Sequence, residues 1–135
     1  MASYTTKAAS KGGREGRAHL DGGALALSMA FPKELGGAGD GHNPEQLFAL
    51  GYSACFNQAV IALGRKHGID PAKAAVGVQV TLDKDEISFA LKVDITLHVP
   101  GADKTAVQAL LEDAHKICPY SRATRGNVPV ALTVV

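Results

Sequence analysis

The stretch ISFALKVDITLHV, residues 87–99, alternates apolar and polar side chains without interruption. Because successive side chains of a strand point to opposite faces, this pattern predicts one long strand with a buried face. The residues expected on that face are Ile87, Phe89, Leu91, Val93, Ile95, Leu97 and Val99.

Three further stretches alternate in the same way, namely residues 25–29, 76–82 and 128–134. Asp83-Lys84-Asp85 lies between the second of these and the long strand, and we interpret it as a hairpin turn. Asp21-Gly22-Gly23 gives another hairpin signal just before the first. The pattern predicts strands near both ends of the chain as well as in its middle.

Two helices are predicted between these strands. Asn43-Pro44-Glu45 combines an N-cap residue, a proline at the first helical position and an acid in the first turn. This helix is expected to reach Gly68, and its apolar circumference favours a central, buried position. A second helix is expected to begin after Pro100-Gly101, with Asp103 as its cap, and to end at Pro119.

The order of elements is therefore strands, a long helix, two strands, a helix and a strand. Helices and mostly antiparallel strands in separate blocks indicate the α+β class. The length of 135 residues suits a single domain spanning 1–135.

Composition limits the classes of partner and compartment. The net charge of +1 gives no electrostatic reason to expect nucleic acid or a membrane surface as a partner. We find no signal-peptide pattern at the start and no run of about 18 apolar residues, so we expect a cytoplasmic protein with no membrane span. In that reducing compartment, the two cysteines are poor candidates for a permanent structural disulfide.

The two cysteines occupy different kinds of position. Cys55 falls in the middle of the long helix, where a small buried hydrophobe and a nucleophile are both compatible with the sequence. Cys118 falls at a helix C-terminus, where the dipole is expected to raise a thiol pKa. Cys55 is thus the better thiolate candidate, provided that a cation lies nearby. The cation candidates are Arg14, Arg17, Arg65, Lys66, Arg122 and Arg125.

Long motifs around both cysteines make the sequence recognisable. NPEQLFALGYSACF (43–56) and CPYSRATRGN (118–127) resemble the organic hydroperoxide resistance (Ohr) branch of the Ohr/OsmC family. GGREGR (12–17) and ELGG (34–37) fit the same family in the same order. The resemblance implies an OsmC/Ohr-like fold, with mostly antiparallel sheets around a long central helix. It also implies an interlocked homodimer with active sites at the subunit interface.

The resemblance implies a role for four residues. Cys55 matches the peroxidatic cysteine and Cys118 the resolving cysteine, while Arg14 matches the active-site arginine and Glu45 the acid that pairs with it. The implied reaction is thiol-dependent reduction of organic hydroperoxides, including those of fatty acids. No bound cofactor is implied, and the expected electron donor is the lipoyl dithiol of a lipoylated protein. Apolar residues expected to line the substrate pocket, although core packing explains each equally well, are Leu47, Phe48, Phe56, Ile117 and Tyr120.

The spacing of Glu45 and Cys55 raises a geometric problem. Ten residues of continuous helix correspond to about 15 Å along the axis, too far for one arginine to serve both side chains. Either the helix breaks near Gly51, or the arginine and its acid come from another chain. We favour the second alternative and expect each site to be shared between two subunits.

Other interpretations remain open at this point. An OsmC-branch peroxidase would use similar chemistry with another substrate preference, and a ligand-binding dimer would leave both cysteines inert. A metal site at His115, Cys118 and Cys55 is disfavoured, because the chain has neither a CxxC pair nor an HExxH motif. Arg122 and Arg125 are either solvated charges or contacts for an acidic lipoylated partner.

Overall fold

The computed structural model describes residues 2–135, and the chain forms two compact units that divide after Leu47. Its helices and its two three-stranded sheets within the described residues confirm the α+β class. The chain forms two compact units, and the single domain expected over 1–135 stays a prediction. The elements are β1 (Ala8–Lys11), β2 (Arg17–Leu20), β3 (Ala26–Ser28), α1 (Pro44–Leu63), β4 (Ala75–Lys84), β5 (Phe89–His98), α2 (Lys104–Ile117), α3 (Pro119–Thr124) and β6 (Val130–Val134).

The sheet of the first unit is antiparallel, in the order β1-β2-β3. Its second hairpin lies where the Asp21-Gly22-Gly23 signal predicted it. Gly22 and Gly23 have φ values of 90° and 73°, in the left-handed region that glycine adopts most readily. Leu20 N–H donates to the carbonyl of Leu25 across the turn, at 2.9 Å.

The sheet of the second unit has the order β4-β5-β6. β4 and β5 form a long antiparallel hairpin, from the Ala75–His98 pair to the Lys84–Phe89 pair. β6 lies parallel to β5, which the intervening α2 and α3 make possible, since parallel neighbours need a crossover connection. The middle of β5 forms the centre of the core through Val93, Ile95 and Leu97, which are almost fully buried.

The β4–β5 turn lies further along the chain than predicted. β4 continues through Lys84, and Asp85 Oδ1 accepts hydrogen bonds from the backbone N–H groups of Ile87 (3.0 Å) and Ser88 (2.8 Å). The prediction that Ile87 belongs to the buried face is wrong, because this turn leaves its side chain 93% exposed. Phe89, at the first position of β5, is 49% exposed.

The long helix begins as predicted. Asn43 Oδ1 accepts from Gln46 N–H at 2.9 Å, and Gln46 Oε1 accepts from Asn43 N–H at 3.1 Å, which forms a reciprocal capping box. After Leu63 the chain continues in a 3₁₀ turn, Gly64–His67, which Gly68 ends with a φ of 71°. α1 is continuous through Gly51, so the alternative of a helix break at that position is wrong.

Only one face of α1 is buried within the chain. Tyr52, Phe56 and Val60 are fully buried, whereas Leu50 is 67% and Ile61 46% exposed. The predicted burial of the long helix is therefore observed on one face of α1, and the opposite face is exposed. By length and composition alone, the helical stretch 44–67 would suffice to cross a membrane, because an 18-residue window within it has a mean hydropathy of 1.4, although the sequence analysis found no such run. The core helices of soluble proteins meet the same criterion.

α2 has a clear apolar face and a side-chain cap. Asp103 Oδ2 accepts from Ala106 N–H at 3.0 Å, as the sequence predicted. The predicted stop at Pro119 is correct, but the proline also starts α3, a helix that the sequence analysis did not predict. Proline suits the first helical position because an N–H group there has no acceptor within the helix, so its absence removes no hydrogen bond. The buried face of α2 consists of Val107, Leu110, Leu111 and Ala114.

Candidate active site

The two cysteines lie side by side in the second unit. Cys55 is half-buried on α1, and Cys118 is fully buried between α2 and α3. Their Sγ atoms are 3.6 Å apart, with both thiols free. A disulfide needs a separation of about 2.05 Å, so the sulfurs must approach by only about 1.5 Å to form a bond. The structure thus brings together two thiols that can interconvert with a disulfide.

Cys118 belongs to two helix ends at once. Its N–H donates to the carbonyl of Ala114 in α2, and its carbonyl accepts from Arg122 N–H in α3, both at 2.9 Å. The sequence argument placed Cys118 at a helix C-terminus alone. The start of α3 adds an N-terminus at the same residue, so the expected dipole effect of α2 does not act alone.

Burial raises the pKa of the Cys55 thiol, and the neighbouring Cys118 raises it further. The backbone N–H of Tyr120 acts in the opposite direction, because a hydrogen bond to sulfur favours the thiolate. The net shift is upward. A reactive thiolate at Cys55 therefore requires an additional positive charge close to the sulfur.

Tyr120 packs beside the cysteine pair. Its ring centroid lies 5.7 Å from that of Tyr52 and 6.4 Å from that of Phe48. A Cβ atom at Gly51 would lie 2.9 Å from Tyr120 Oη, closer than carbon and oxygen normally approach. Gly51, one helical turn before Cys55, therefore leaves the space that the tyrosine occupies.

Cys118 is the single residue between α2 and α3, and the bend between these two helices is called the Cys118 elbow. A buried set of polar side chains lies under it, and the sequence analysis did not identify this set. Ser121 Oγ lies 2.8 Å from both Tyr52 Oη and His115 Nδ1, and Tyr52 Oη also lies 3.2 Å from Thr124 Oγ1. Ser121 is fully buried and Thr124 nearly so. Ser121 in the CPYS motif was the available signal, but its partner Tyr52 is 69 residues away in the chain.

Arg14 and Glu45 form an ion pair in the first unit. Arg14 Nη1 and Nη2 each donate to one oxygen of the Glu45 carboxylate at 2.8 Å, which is the bidentate geometry. Arg14 stands on a short 3₁₀ turn, Gly13–Glu15, and its guanidinium carbon lies 6.0 Å from the centroid of the Phe31 ring. The hydrogen bond from Arg14 lowers the pKa of Glu45, although partial burial opposes it.

The predicted pocket residues occupy different environments. Leu47 lines an apolar cavity of about 190 Å³ in the first unit, beside Leu20 and Leu25. Phe56 is fully buried in the core of the second unit, whereas Ile117 is 47% and Tyr120 41% exposed. Phe48 is half-buried, in an edge-to-face arrangement with Tyr120.

Of the remaining cation candidates, Arg17 lies on β2, and Arg65 and Lys66 lie in the 3₁₀ turn after α1. Arg122 lies in α3, and Arg125 follows that helix directly. The Arg125 guanidinium donates to the carbonyl of His115, and Arg122 is exposed. Among residues 2–135, no group of three or more His, Cys, Asp or Glu side chains is arranged to hold a metal ion.

The family model described as OsmC-like protein matches residues 37–133. The chain belongs to the OsmC/Ohr family. It is 45% identical to the organic hydroperoxide resistance protein of Xanthomonas axonopodis pv. citri, over 97% of this chain and 94% of that relative. It is 41% identical to the organic hydroperoxide resistance protein OhrB of Bacillus subtilis, over 98% of both chains.

Solved structures agree with this membership. The crystal structure of an organic hydroperoxide resistance protein from Legionella pneumophila matches with a TM-score of 0.91 and 42% identity, over 99% of this chain and 98% of that one. OhrB of Bacillus subtilis matches with a TM-score of 0.86. The OsmC/Ohr fold expected from the sequence is therefore confirmed.

Proposed function

We propose that this protein is a thiol-dependent peroxidase that reduces organic hydroperoxides, including those of fatty acids, to alcohols. The observation that carries the proposal is the 3.6 Å separation of the Cys55 and Cys118 sulfurs. Relatives at 45% and 41% identity are named organic hydroperoxide resistance proteins, which supports the same substrate class.

In the proposed reaction, Cys55 is the peroxidatic cysteine. Its thiolate attacks the outer peroxide oxygen, the O–O bond breaks, and the alkoxide leaves as an alcohol after taking up a proton. Cys55 is left as a sulfenic acid. The Cys118 thiol, as resolving cysteine, then attacks this sulfur, which forms the disulfide and releases water. Cys55 suits the first step because it is half-buried, whereas Cys118 is fully buried.

We further propose that Arg14 supplies the positive charge that the Cys55 thiolate requires, and that Glu45 holds Arg14 in place. A guanidinium remains charged at any physiological pH, and its planar fork can also polarise a peroxide oxygen. The bidentate pair with Glu45 leaves the guanidinium partly exposed, with 32% of the Arg14 side chain accessible. An accessible and oriented cation is what this role demands.

The proposal includes a homodimer in which each site is shared between subunits. α1 is continuous past Gly51, which leaves the sequence argument for an arginine from another chain in force. The exposed apolar side chains of α1, Leu50 and Ile61, give a second copy an apolar face to cover.

The apolar pocket and the reductant complete the proposal. Leu47, Phe48, Ile117 and Tyr120 are proposed to contact the organic part of the substrate, and Phe56 is proposed to support them from the core. The disulfide is proposed to be reduced by thiol–disulfide exchange with the lipoyl dithiol of a lipoylated protein, without a bound cofactor. A cytoplasmic location suits a thiol pair that must return to the reduced form.

The direct test is a thiol titration with intact-mass measurement. Reduced protein is mixed with one equivalent of an organic hydroperoxide, and in parallel with one equivalent of hydrogen peroxide. We expect rapid loss of both thiols with the organic substrate and much slower loss with hydrogen peroxide. Faster loss with hydrogen peroxide would favour the OsmC-branch alternative. Survival of both thiols in both reactions would favour the ligand-binding dimer with inert cysteines.

A further inference from the structure

The polar side chains beneath the Cys118 elbow have only one consistent arrangement of donors and acceptors. Thr124 Oγ1 lies 3.1 Å from the carbonyl of Ser121, and a carbonyl only accepts, so the threonine proton points there. Thr124 Oγ1 has no second proton to donate. The 3.2 Å contact with Tyr52 Oη is therefore a hydrogen bond that the tyrosine donates.

The same accounting fixes the next two bonds. Because Tyr52 donates to Thr124, its oxygen must accept in the 2.8 Å contact with Ser121 Oγ. Ser121 thereby uses its only proton, so its oxygen must accept from His115 Nδ1, also at 2.8 Å. The protons consequently run in a single direction, from His115 through Ser121 and Tyr52 to Thr124.

This directional chain joins three helices at the point where Cys118 lies. Tyr52 belongs to α1, the helix of Cys55; His115 belongs to the last turn of α2; Ser121 and Thr124 belong to α3. Only Cys118 separates α2 from α3, and its position depends on the angle between them. The Ser121 hydroxyl is bonded to both of the other helices, so it fixes the elbow relative to α1.

We infer that His115, held with its proton on Nδ1, is a positioning residue that keeps Cys118 within reach of Cys55 through Ser121 and Tyr52. For catalysis this inference rests on the proposed two-cysteine function, because proximity of the two sulfurs matters only where they form a disulfide. The role needs no change of charge on the ring. Burial and the positive charge of Arg125 lower the pKa of His115, and both the neutral Nδ1–H form and the imidazolium can donate to Ser121.

Two substitutions at His115 separate positioning from general packing. The amide nitrogen of an asparagine falls near the place of Nδ1, and that of a glutamine near the place of Nε2. His115→Asn therefore retains the donor to Ser121, whereas His115→Gln moves it away from Ser121. Both replacements carry the same neutral carboxamide, and Gln is closer in size to histidine. Circular dichroism and thermal unfolding of the two variants establish that each is folded.

The first readout is the equilibrium between the dithiol and the disulfide in glutathione buffers, quantified by mass spectrometry. This equilibrium measures the effective concentration of Cys118 at Cys55 and involves no hydroperoxide. We expect His115→Asn to remain within about twofold of the wild type and His115→Gln to decrease that concentration by about fivefold to tenfold, in line with the loss of one hydrogen bond. Equal values for the two variants would overturn the inference.

The second readout is the protonation state of the imidazole in the reduced protein, obtained from long-range ¹H–¹⁵N correlation spectra. We expect the proton on Nδ1 in the wild type, whereas a neutral ring protonated on Nε2 would overturn the inference. Failure of the proposed function shows itself elsewhere. If hydroperoxide leaves the thiols intact while the Asn and Gln variants still differ in glutathione, the positioning role stands and the peroxidase activity does not.

Discussion

The Sγ atoms of Cys55 and Cys118 lie 3.6 Å apart although 63 residues separate them in the chain. A sulfenic acid formed on Cys55 thus has a thiol beside it. We expect Cys118→Ser to accumulate Cys55 with one added oxygen after one equivalent of organic hydroperoxide, and with two or three after an excess. The wild type should form the disulfide without added oxygen. Intact-mass measurement distinguishes these products, and Cys55→Ser, expected to keep its buried thiol reduced, is the control.

Sharing of the site between subunits predicts complementation. In a mixed dimer of a Cys55→Ser chain and a Glu45→Ala chain, one site combines an intact Cys55 with an intact Arg14–Glu45 pair. We expect about half of the wild-type activity from such a dimer, although each parent homodimer is nearly inactive. Differently tagged chains allow its isolation before the peroxidase assay. Activity equal to the average of the two parents would show that each site lies within one chain.

The bidentate Arg14–Glu45 pair predicts that a lysine does not replace Arg14. Lysine keeps the charge but presents a single point donor, so it cannot bind both carboxylate oxygens in one plane. We expect Arg14→Lys to lower kcat/KM for an organic hydroperoxide by about 100- to 1,000-fold, the scale of losing an oriented donor.

The matched control for Arg14→Lys is Arg17→Lys. Arg17 is exposed, and its Nη1 makes only a 3.4 Å contact with Ser28 Oγ. We expect that control to retain nearly full activity. An equal loss in both variants would contradict a specific role of the bidentate Arg14–Glu45 pair.

The lowered pKa of Glu45 predicts a dependence of stability on pH. A carboxyl whose pKa is lower in the folded state contributes stability above its unfolded value of about 4.3, and that contribution is lost as the pH falls through the folded value. We expect the wild type to melt at a higher temperature than Glu45→Gln at pH 6 to 7, with the difference disappearing in acid. Calorimetric scans across this range test it; a difference independent of pH would contradict it.

The close approach of Tyr120 predicts a specific effect of Gly51→Ala. Alanine favours the helix by up to about 1 kcal/mol over glycine, but its Cβ would lie 2.9 Å from Tyr120 Oη and 3.2 Å from a ring carbon. Because the ring must move, we expect the Tyr120 N–H to shift away from Cys55 and the oxidation of Cys55 to slow without loss of fold.

A double-mutant cycle with Tyr120→Phe isolates this contact. Removing the hydroxyl removes the shortest approach, so Gly51→Ala should cost less in the Tyr120→Phe background than in the wild type. Stopped-flow measurement of thiol oxidation supplies the four rate constants. Strict additivity of the two changes would mean that the contact between residue 51 and the Tyr120 hydroxyl does not affect the reaction.

Local patterns were sufficient for most of the backbone. Alternation predicted β5, because Val93, Ile95 and Leu97 all face the core. Alternation failed at Ile87. The Asp85 carboxylate accepts hydrogen bonds from the backbone N–H groups of Ile87 and Ser88, and these bonds hold the segment in a turn instead of a strand. β1, with the sequence AASK, has no apolar alternation to detect, because all four of its residues are exposed.

The site was predicted less completely than the fold. The motifs selected Cys55, Cys118, Arg14 and Glu45. In the structure the two cysteines lie side by side, and Arg14 forms an ion pair with Glu45. α3 was missed because Pro119 was interpreted only as the end of a helix. The hydrogen-bond chain from His115 to Thr124 depends on Tyr52, which is remote in sequence from the other members, so no spacing rule brings these residues together.

The unequal exposure of the two sulfurs gives the proposed disulfide a direction. Cys118 has no solvent-accessible surface, whereas Cys55 is only half-buried. An incoming dithiol can therefore reach the disulfide from the Cys55 side alone. In the proposed cycle, the transient mixed disulfide would then form on Cys55, with Cys118 as the leaving group. The second thiol of the proposed donor would release Cys55, so both the oxidising and the reducing halves of the proposed cycle would take place at the Cys55 sulfur.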